Sequence, residues 1–192
     1  LESSGMKQVL VGLQPQNLED VIALISLYRP GPMDSIPTYL RNRHEPDKIS
    51  YKTPQLAHIL DVTNGCIVYQ EQVMQIFREL AGFSFGQADN VRRAMSKKKH
   101  AVMEAEREHF VHGCTEPGHE CPGCVANGIS EKVANEIYDE MSSFASYAFN
   151  KSHAACYAYV AFQTAYLKCH YPSEFMAALL TSVLDNTDKV IE

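Results

Sequence analysis

The most concentrated chemistry in the sequence is a short basic segment. Residues 91–100 hold five cationic side chains and no acidic one: Arg92, Arg93, Lys97, Lys98 and Lys99. The rest of the chain is acidic, since the formal net charge of the whole chain is −6. A basic block in an acidic chain can form a site for phosphate groups, although such blocks are also common as solvated surface. The segment is a candidate site for a nucleotide or for nucleic-acid backbone.

A second cluster combines thiols and imidazoles. Cys114, Cys121 and Cys124 lie close together in the sequence with His119 between them, and His112 precedes them. The Cys-Pro-Gly-Cys turn can aim two thiolates at one tetrahedral ion. We predict a structural zinc site in an inserted loop at 112–126, with the three cysteines as ligands and His119 or His112 as the fourth. A loop of unmetallated reduced thiols and a redox site are the alternatives.

Helical periodicity dominates the elements that must position these residues. The spacing of apolar residues predicts helices at 18–28, 71–81, 88–96, 103–111, 154–168 and 174–184, with a further helix after Ser130. Asn17, Ser130 and Ser152 are predicted N-caps, and Gly82 is a predicted C-terminal stop. Residues 66–69 fit either a short strand or an extended lead-in. The proline-containing stretch 30–54 is predicted to be a linker.

Composition and length indicate an ordinary globular protein. The chain has 192 residues, of which 45% are hydrophobic and 21% are charged. No apolar run approaches the length of a membrane span, so we expect a cytoplasmic protein without membrane contact. The fold class is mainly α, with about eight helices and at most one or two short strands. Cys66, Cys156 and Cys169 sit in apolar patterns and are predicted to be buried.

The chain begins at Leu1 rather than at methionine, which favours a piece of a longer polypeptide. Four segments of it, at 28–33, 69–74, 91–99 and 149–153, resemble in order and spacing the α subunit of bacterial DNA polymerase III, the C-family of replicative polymerases. The resemblance extends over nearly the whole chain. It implies that residues 1–192 form an irregular multi-helix fingers domain with a small Cys/His loop insertion.

The resemblance also implies an activity for the parent protein, which is DNA-templated primer extension by nucleotidyl transfer. Its partners would be primer-template DNA, deoxynucleoside triphosphates, the remaining polymerase domains and replisome subunits. The sequence has no Asp-x-Asp pair, and two-metal phosphoryl transfer needs clustered acids. We therefore assign no catalytic residue here. We expect magnesium to bind a palm domain outside this chain and the isolated chain to be inactive.

Individual roles also follow from the resemblance. Arg92 and Arg93 would meet the triphosphate of the incoming nucleotide, and the family motif at 150–153 would join them. The residues of that motif are Asn150, Lys151, Ser152 and His153. Arg29 would contact DNA or nucleotide, with an interdomain ion pair as the alternative. The three lysines at 97–99 would contact DNA backbone or nucleotide, with a solvated helix end as the alternative. Consecutive helical residues point about 100° apart, so one arginine could instead pair within the protein.

A helix N-terminus at Ser152 would offer free backbone N–H groups to an anion. We therefore expect the arginine pair and the 150–153 turn to converge into one cradle for a polyanionic monomer. The rival hypothesis is a helical nucleic-acid or protein interaction module with a structural zinc loop and no catalytic role. That module would use the basic run as a nucleic-acid tether.

Overall fold

The computed structural model describes residues 1–97, 100–145 and 147–186, so Lys98 and Lys99 lie outside the described residues. Within these ranges the chain forms α-helices, short 3-10 helices and no β-strand, which confirms the mainly α fold class. None of the described helices combines the length and the apolar character that crossing a membrane requires.

The helices of the described part follow one another with short connections. The first five are α1 (Ser4–Leu13), α2 (Leu18–Leu27), α3 (Ile36–His44), α4 (Ala57–Leu60) and α5 (Gln70–Ala81). The next six are α6 (Phe85–Ser96), α7 (His100–His112), α8 (Gly123–Ala126), α9 (Glu131–Ala145), α10 (Lys151–His170) and α11 (Pro172–Ser182). The 3-10 helices are Pro32–Ser35, Pro46–Lys48, Pro54–Leu56 and Asp61–Thr63.

Three of the predicted helix ends are confirmed. The Asn17 side chain accepts a hydrogen bond from the Asp20 backbone N–H at 3.0 Å at the start of α2. The Ser130 hydroxyl accepts one from the Val133 N–H at 3.4 Å at the start of α9. Gly82 ends α5 with a φ of 74°, a left-handed conformation that favours glycine.

The predicted linker at 30–54 is wrong, because this stretch contains α3 and two complete 3-10 helices. Its prolines start helices rather than interrupt them: Pro32 and Pro37 occupy first-turn positions, where the missing N–H costs no intrahelical hydrogen bond. Ile36 and Tyr39 anchor α3, since both side chains are buried in the core. Two anchors in nine residues leave too little apolar periodicity to reveal the helix in advance.

Two hydrophobic clusters form the interior. The first packs α5, α6, α7 and α9 around Phe77, Phe110 and Tyr138. The second packs α1, α2 and α3 against the first turns of α10, where the buried Ala154 and Ala158 allow a close approach to α2. The chain around residues 67–73 runs between the two clusters.

The extended segment 66–69 makes its only described ladder contact with residues just before α10. The Phe149 N–H donates to the Val68 carbonyl at 3.1 Å, and the Gln70 N–H donates to the Phe149 carbonyl at 2.9 Å. The pairing is a single parallel bridge between Tyr69 and Phe149. Residues 66–69 are thus an extended lead-in to α5, and the bridge places the start of α5 beside the start of α10.

Apart from the buried Ala158 and a few half-buried side chains, residues 156–186 are exposed. The prediction of buried thiols is therefore confirmed for Cys66 and wrong for Cys156 and Cys169, which are both exposed. Large apolar side chains are exposed along this stretch: Tyr157, Tyr159, Val160, Phe162, Tyr166, Leu167, Tyr171, Met176, Leu179, Leu180 and Leu184. The apolar pattern predicted that these side chains would be buried. In the described part of the chain, no other element covers them.

Candidate functional site

A cavity of about 500 Å³ opens between α5, α6 and the start of α10. Its lining residues are Gln70, Glu71, Met74, Gln75, Arg78, Glu79, Phe85, Asp89, Arg92 and Asn150. Arg92 and Asn150 are 58 positions apart in the sequence, yet they line the same space. The cavity therefore brings one residue of the basic segment together with the first residue of the 150–153 motif.

Asp89 holds the two arginines of α6 together. Arg92 donates to Asp89 Oδ1 from Nε at 2.9 Å and from Nη2 at 2.7 Å. Arg93 forms an ion pair with Asp89 Oδ2 at 2.8 Å. The two side chains lie three and four positions after the acid, which is the spacing that brings helical side chains into contact. Both guanidinium groups consequently meet one carboxylate, although they leave the helix in different directions.

The arginine pair also fixes the charge of Asp89. The hydrogen bond from Arg92 is the main reason that the pKa of Asp89 lies below the ordinary carboxyl value. A lowered pKa favours the charged carboxylate in the folded state. The stabilisation is complete above the ordinary pKa and is lost as the pH falls through the lowered one. Sequence analysis gave Asp89 no role, but its spacing from the arginines was a usable signal.

Gln70 connects the arginines to the segment before α10. Its Oε1 accepts from Arg92 Nη1 at 3.1 Å. Its Nε2 donates to the Ala148 carbonyl at 3.0 Å. The side-chain amide thus uses both of its ends, and a displacement of Arg92 would be felt by the segment that leads into α10. No local pattern in the sequence indicated this link.

Asn150, rather than the predicted Ser152, is the N-cap of α10. The Asn150 side chain accepts from the His153 N–H at 2.9 Å, and the helix begins at Lys151. Asparagine and serine are comparable N-caps, so the sequence alone did not distinguish them. The correction moves the helix N-terminus two residues earlier, to the edge of the cavity.

Glu71 occupies that N-terminus. Its Oε1 accepts from Asn150 Nδ2 at 3.0 Å and from the Lys151 N–H at 3.3 Å, and its Oε2 lies 3.2 Å from the same N–H. A carboxylate at this position is favoured by the positive end of the helix dipole. The group that sits on the predicted anion site is therefore an anion supplied by α5.

The other residues of the 150–153 motif point elsewhere. The Lys151 ammonium lies 2.9 Å from Glu19 Oε2 on α2 and 5.3 Å from the centroid of the Tyr69 ring. The His153 ring lies between the rings of Phe149 and Tyr157, with centroid distances of 5.3 and 4.8 Å. Ser152 is exposed. Of the four motif residues, Asn150 alone is among those that line the cavity in the described structure.

Arg29 braces the same segment from the side of α2. Its Nη2 donates to the Tyr147 carbonyl at 2.7 Å, and its Nε donates to the Ser26 carbonyl at 3.0 Å. The guanidinium carbon lies 4.1 Å from the centroid of the Phe149 ring, a cation–π contact. Burial lowers the pKa of Arg29 from its ordinary value. These groups engage the Arg29 guanidinium within the protein. Its predicted DNA contact stays a prediction.

Lys97 is exposed immediately after the last turn of α6. The neighbouring Lys98 and Lys99 belong to the part of the chain that the structure does not describe. Their predicted DNA contacts therefore stay predictions.

Gln72 fixes the turn that carries Gln70 and Glu71. Its Oε1 accepts from the backbone N–H groups of Val68 and Tyr69, each at 2.9 Å. Its Nε2 donates to the Ile59 carbonyl at 3.1 Å and to the Thr63 hydroxyl at 2.7 Å. The side chain is buried and makes four hydrogen bonds, so it ties the lead-in of α5 to the preceding helical turns.

The structure does not assemble the predicted zinc site. Cys114 and Cys121 face each other across an antiparallel bridge, with two backbone hydrogen bonds of 2.9 Å. Cys124 is buried in the first hydrophobic cluster. His119 is exposed, and His112 lies near Glu108 and Glu131. Within residues 1–97, 100–145 and 147–186, no three His, Cys, Asp or Glu side chains are grouped to hold a metal ion.

Burial governs the two thiols of the Cys-Pro-Gly-Cys turn. It raises the pKa of Cys124 to about 12, with a further contribution from the nearby Cys121. It also raises the pKa of Cys121. Both shifts favour the neutral thiol in the folded chain. The spacing of the cysteines suggested ligands, whereas the packing makes Cys121 and Cys124 small apolar side chains.

The cavity residues do not form a magnesium site either. Its three carboxylates are engaged separately: Glu71 on α10, Glu79 with Gln75 and His58, and Asp89 with the arginines. The binding of magnesium by residues outside this chain stays a prediction.

Sequence comparison with known proteins identifies the protein family of this chain. A model described as "Bacterial DNA polymerase III alpha subunit finger domain" matches residues 1–118. The chain belongs to this finger-domain family. DNA polymerase III subunit alpha from Thermus aquaticus is 50% identical over 197 residues, which cover 100% of this chain and 15% of that protein. The Bacillus subtilis protein of the same name is 48% identical over 190 residues, or 99% of this chain and 16% of its relative.

The similarity to these relatives extends beyond the family model. The DNA polymerase III subunit alpha of Staphylococcus epidermidis is 46% identical over 189 residues, covering 98% of this finger domain and 17% of that protein. The relatives therefore match through α10 as well as through the arginines of α6. The chain spans about one-sixth of the length of these relatives. The fingers-domain prediction is confirmed. The activity of a complete polymerase stays a prediction for this chain.

Proposed function

We propose that this finger domain binds the incoming deoxynucleoside triphosphate in the cavity between α5, α6 and α10. The observation that carries the proposal is that Arg92 and Asn150 line one space of about 500 Å³. The permanent charge and planar donors of arginine suit phosphate oxygens. The start of α10 supplies backbone N–H groups and the positive end of a helix dipole.

The contacts of the arginine pair support this assignment. Asp89 neutralises one of the two positive charges and pairs with both guanidinium groups, of which that of Arg92 lines the cavity. The side chain of Arg93 is 64% exposed, whereas that of Arg92 is 18% exposed. Arg92 would thus be the fixed contact within the cavity, and the exposed Arg93, which does not line it, would reach the triphosphate from the neighbouring surface of α6.

In the complete polymerase, the finger domain would position the triphosphate against primer-template DNA for DNA-templated primer extension. Lys97, together with Lys98 and Lys99, would contact the nucleic-acid backbone, where cationic side chains add affinity without reading sequence. Arg29 would act by bracing the segment before α10. The metal-binding carboxylates would come from another domain, so the isolated chain would not extend a primer.

The experiment that tests this proposal compares two ligands across a range of salt concentrations. The 192-residue chain is titrated with a deoxynucleoside triphosphate and, separately, with a short DNA duplex. We expect saturable 1:1 triphosphate binding that persists at a salt concentration where duplex binding is lost. Binding through many phosphate contacts falls steeply with salt, because each neutralised phosphate releases counterions.

The opposite pattern would contradict the proposal. A nucleic-acid tether would bind the duplex with a steep salt slope and would show no preference for the triphosphate. Tripolyphosphate is the matched control for charge, since it lacks the nucleoside. Triphosphate binding that is undetectable even at low salt would also reject the site.

A further inference from the structure

The carboxylate of Glu71 stands where the proposed function places a phosphate. It bonds both to Asn150, the N-cap of α10, and to the first backbone N–H of that helix at Lys151. The residue lies on the first turn of α5, some 80 positions earlier in the chain. Its side chain is exposed to the cavity, so a ligand can reach it without unfolding the domain.

The three described carboxylates of the cavity differ in what they bind. Asp89 is held by Arg92 and Arg93. Glu79 accepts from Gln75 and contacts His58. Glu71 is the one among them that bonds to the N-terminus of α10. Displacing Glu71 would open the helix N-terminus and leave the arginine network in place.

We infer that Glu71 is a specificity-determining residue, which occupies the anion position at the start of α10 and is displaced by the triphosphate. This inference rests on the proposed function. An anion that replaces Glu71 gains the N–H groups of α10 but must displace the existing carboxylate and then lie beside it. A small anion gains little in return. A triphosphate also reaches the arginines of α6, which offset that cost.

Glu71 therefore selects against short phosphates. Pyrophosphate and inorganic phosphate carry the right chemistry for the N-terminus of α10, and nucleotidyl transfer from a triphosphate releases pyrophosphate. A site with an open helix N-terminus would retain them. A site that Glu71 closes admits an anion only when additional contacts accompany it.

The test uses Glu71→Gln, with Glu136→Gln as the charge-matched control. Glu136 is an exposed residue of α9 that does not line the cavity. Glutamine at position 71 can still accept from the Lys151 N–H through its carbonyl oxygen, so the start of α10 keeps a partner. Each variant is titrated with pyrophosphate and with a deoxynucleoside triphosphate. Thermal unfolding of each variant establishes that the fold is intact.

We expect Glu71→Gln to tighten pyrophosphate binding by about fivefold and triphosphate binding by about twofold or less, which reduces the preference for triphosphate. Glu136→Gln should change both affinities by less than about twofold. Equal tightening by the two variants would mean a general charge effect and would overturn the inference. Unchanged or weaker pyrophosphate binding in Glu71→Gln would make Glu71 a helix cap only, and would also overturn it.

The proposed function fails in a different way. If neither the original chain nor any variant binds triphosphate, the cavity is not a nucleotide site. That result would reject both the proposed function and the role of Glu71. If the original chain binds triphosphate and Glu71→Gln leaves the preference for triphosphate over pyrophosphate unchanged, the nucleotide site stands and only the role of Glu71 is rejected.

Discussion

Replacing Arg92 with alanine is expected to weaken triphosphate binding by about tenfold to a hundredfold. Hydrogen bonds between charged groups each contribute about 1.5–3 kcal/mol, and every 1.4 kcal/mol changes affinity about tenfold. The substitution also removes the main partner of Asp89, whose carboxylate would then repel the phosphates. Calorimetric titration of the 192-residue chain measures the effect.

Arg41→Ala is the matched control for the loss of one positive charge. Arg41 is an exposed residue of α3 and is not among those that line the cavity. We expect it to change the dissociation constant by less than about twofold. Equal losses of affinity in the two variants would show that Arg92 acts through net charge alone. That result would remove the specific role assigned to its contacts with Asp89 and Gln70.

Replacing Gln72 with leucine is expected to lower the free energy of unfolding by about 2–4 kcal/mol. The substitution removes the acceptor for the buried N–H groups of Val68 and Tyr69. Each buried polar group that loses its partner costs about 1–3 kcal/mol. The Ile59 carbonyl and the Thr63 hydroxyl lose a donor in addition. Urea denaturation monitored by circular dichroism measures the change.

Gln75→Leu, on the next turn of α5, controls for the loss of an amide from this helix. Gln75 is only partly buried, and its amide donates to Glu79 at the surface. We expect a change of less than about 0.5 kcal/mol. A loss of stability in Gln72→Leu no larger than in Gln75→Leu would mean that the four hydrogen bonds do not hold the lead-in of α5 in place.

Elements with a strong local signal were predictable from the sequence. Helix α2 combines an asparagine cap with a continuous apolar face, and α5 ends at a glycine in the left-handed conformation. Helix α3 has no continuous apolar face. Two buried side chains, Ile36 and Tyr39, anchor its nine residues. Periodicity therefore located long amphipathic helices and missed a short one that the tertiary structure stabilises.

The site required information that local patterns do not contain. The parallel bridge between Tyr69 and Phe149 joins residues far apart in the chain. It brings Gln70 to Ala148 and Glu71 to the start of α10. The resemblance to a known family indicated which segments belong together. The hydrogen-bond partners that link them became visible only in the structure.

The cysteines show that a local sequence pattern can also predict a site that the structure does not assemble. Their spacing resembles that of metal ligands, yet spacing does not report where a side chain points. The Cys114–Cys121 bridge and the burial of Cys124 are consequences of packing against α7 and α9. In the same way, the apolar pattern of α10 predicted burial for Cys156 and Cys169. Cys156 lies on the exposed face of the first turns, whose other face carries the buried Ala154 and Ala158, and Cys169 lies beyond those turns.

The most direct test of the central claim is to follow both parts of the site in one titration. In a ¹⁵N-labelled chain, the Nε–H signal of Arg92 reports on α6, and the backbone N–H signals of Lys151 and Ser152 report on the start of α10. If one triphosphate occupies one site, both sets of signals shift with the same midpoint as triphosphate is added. Shifts confined to one set, or two sets with different midpoints, would contradict a single shared site.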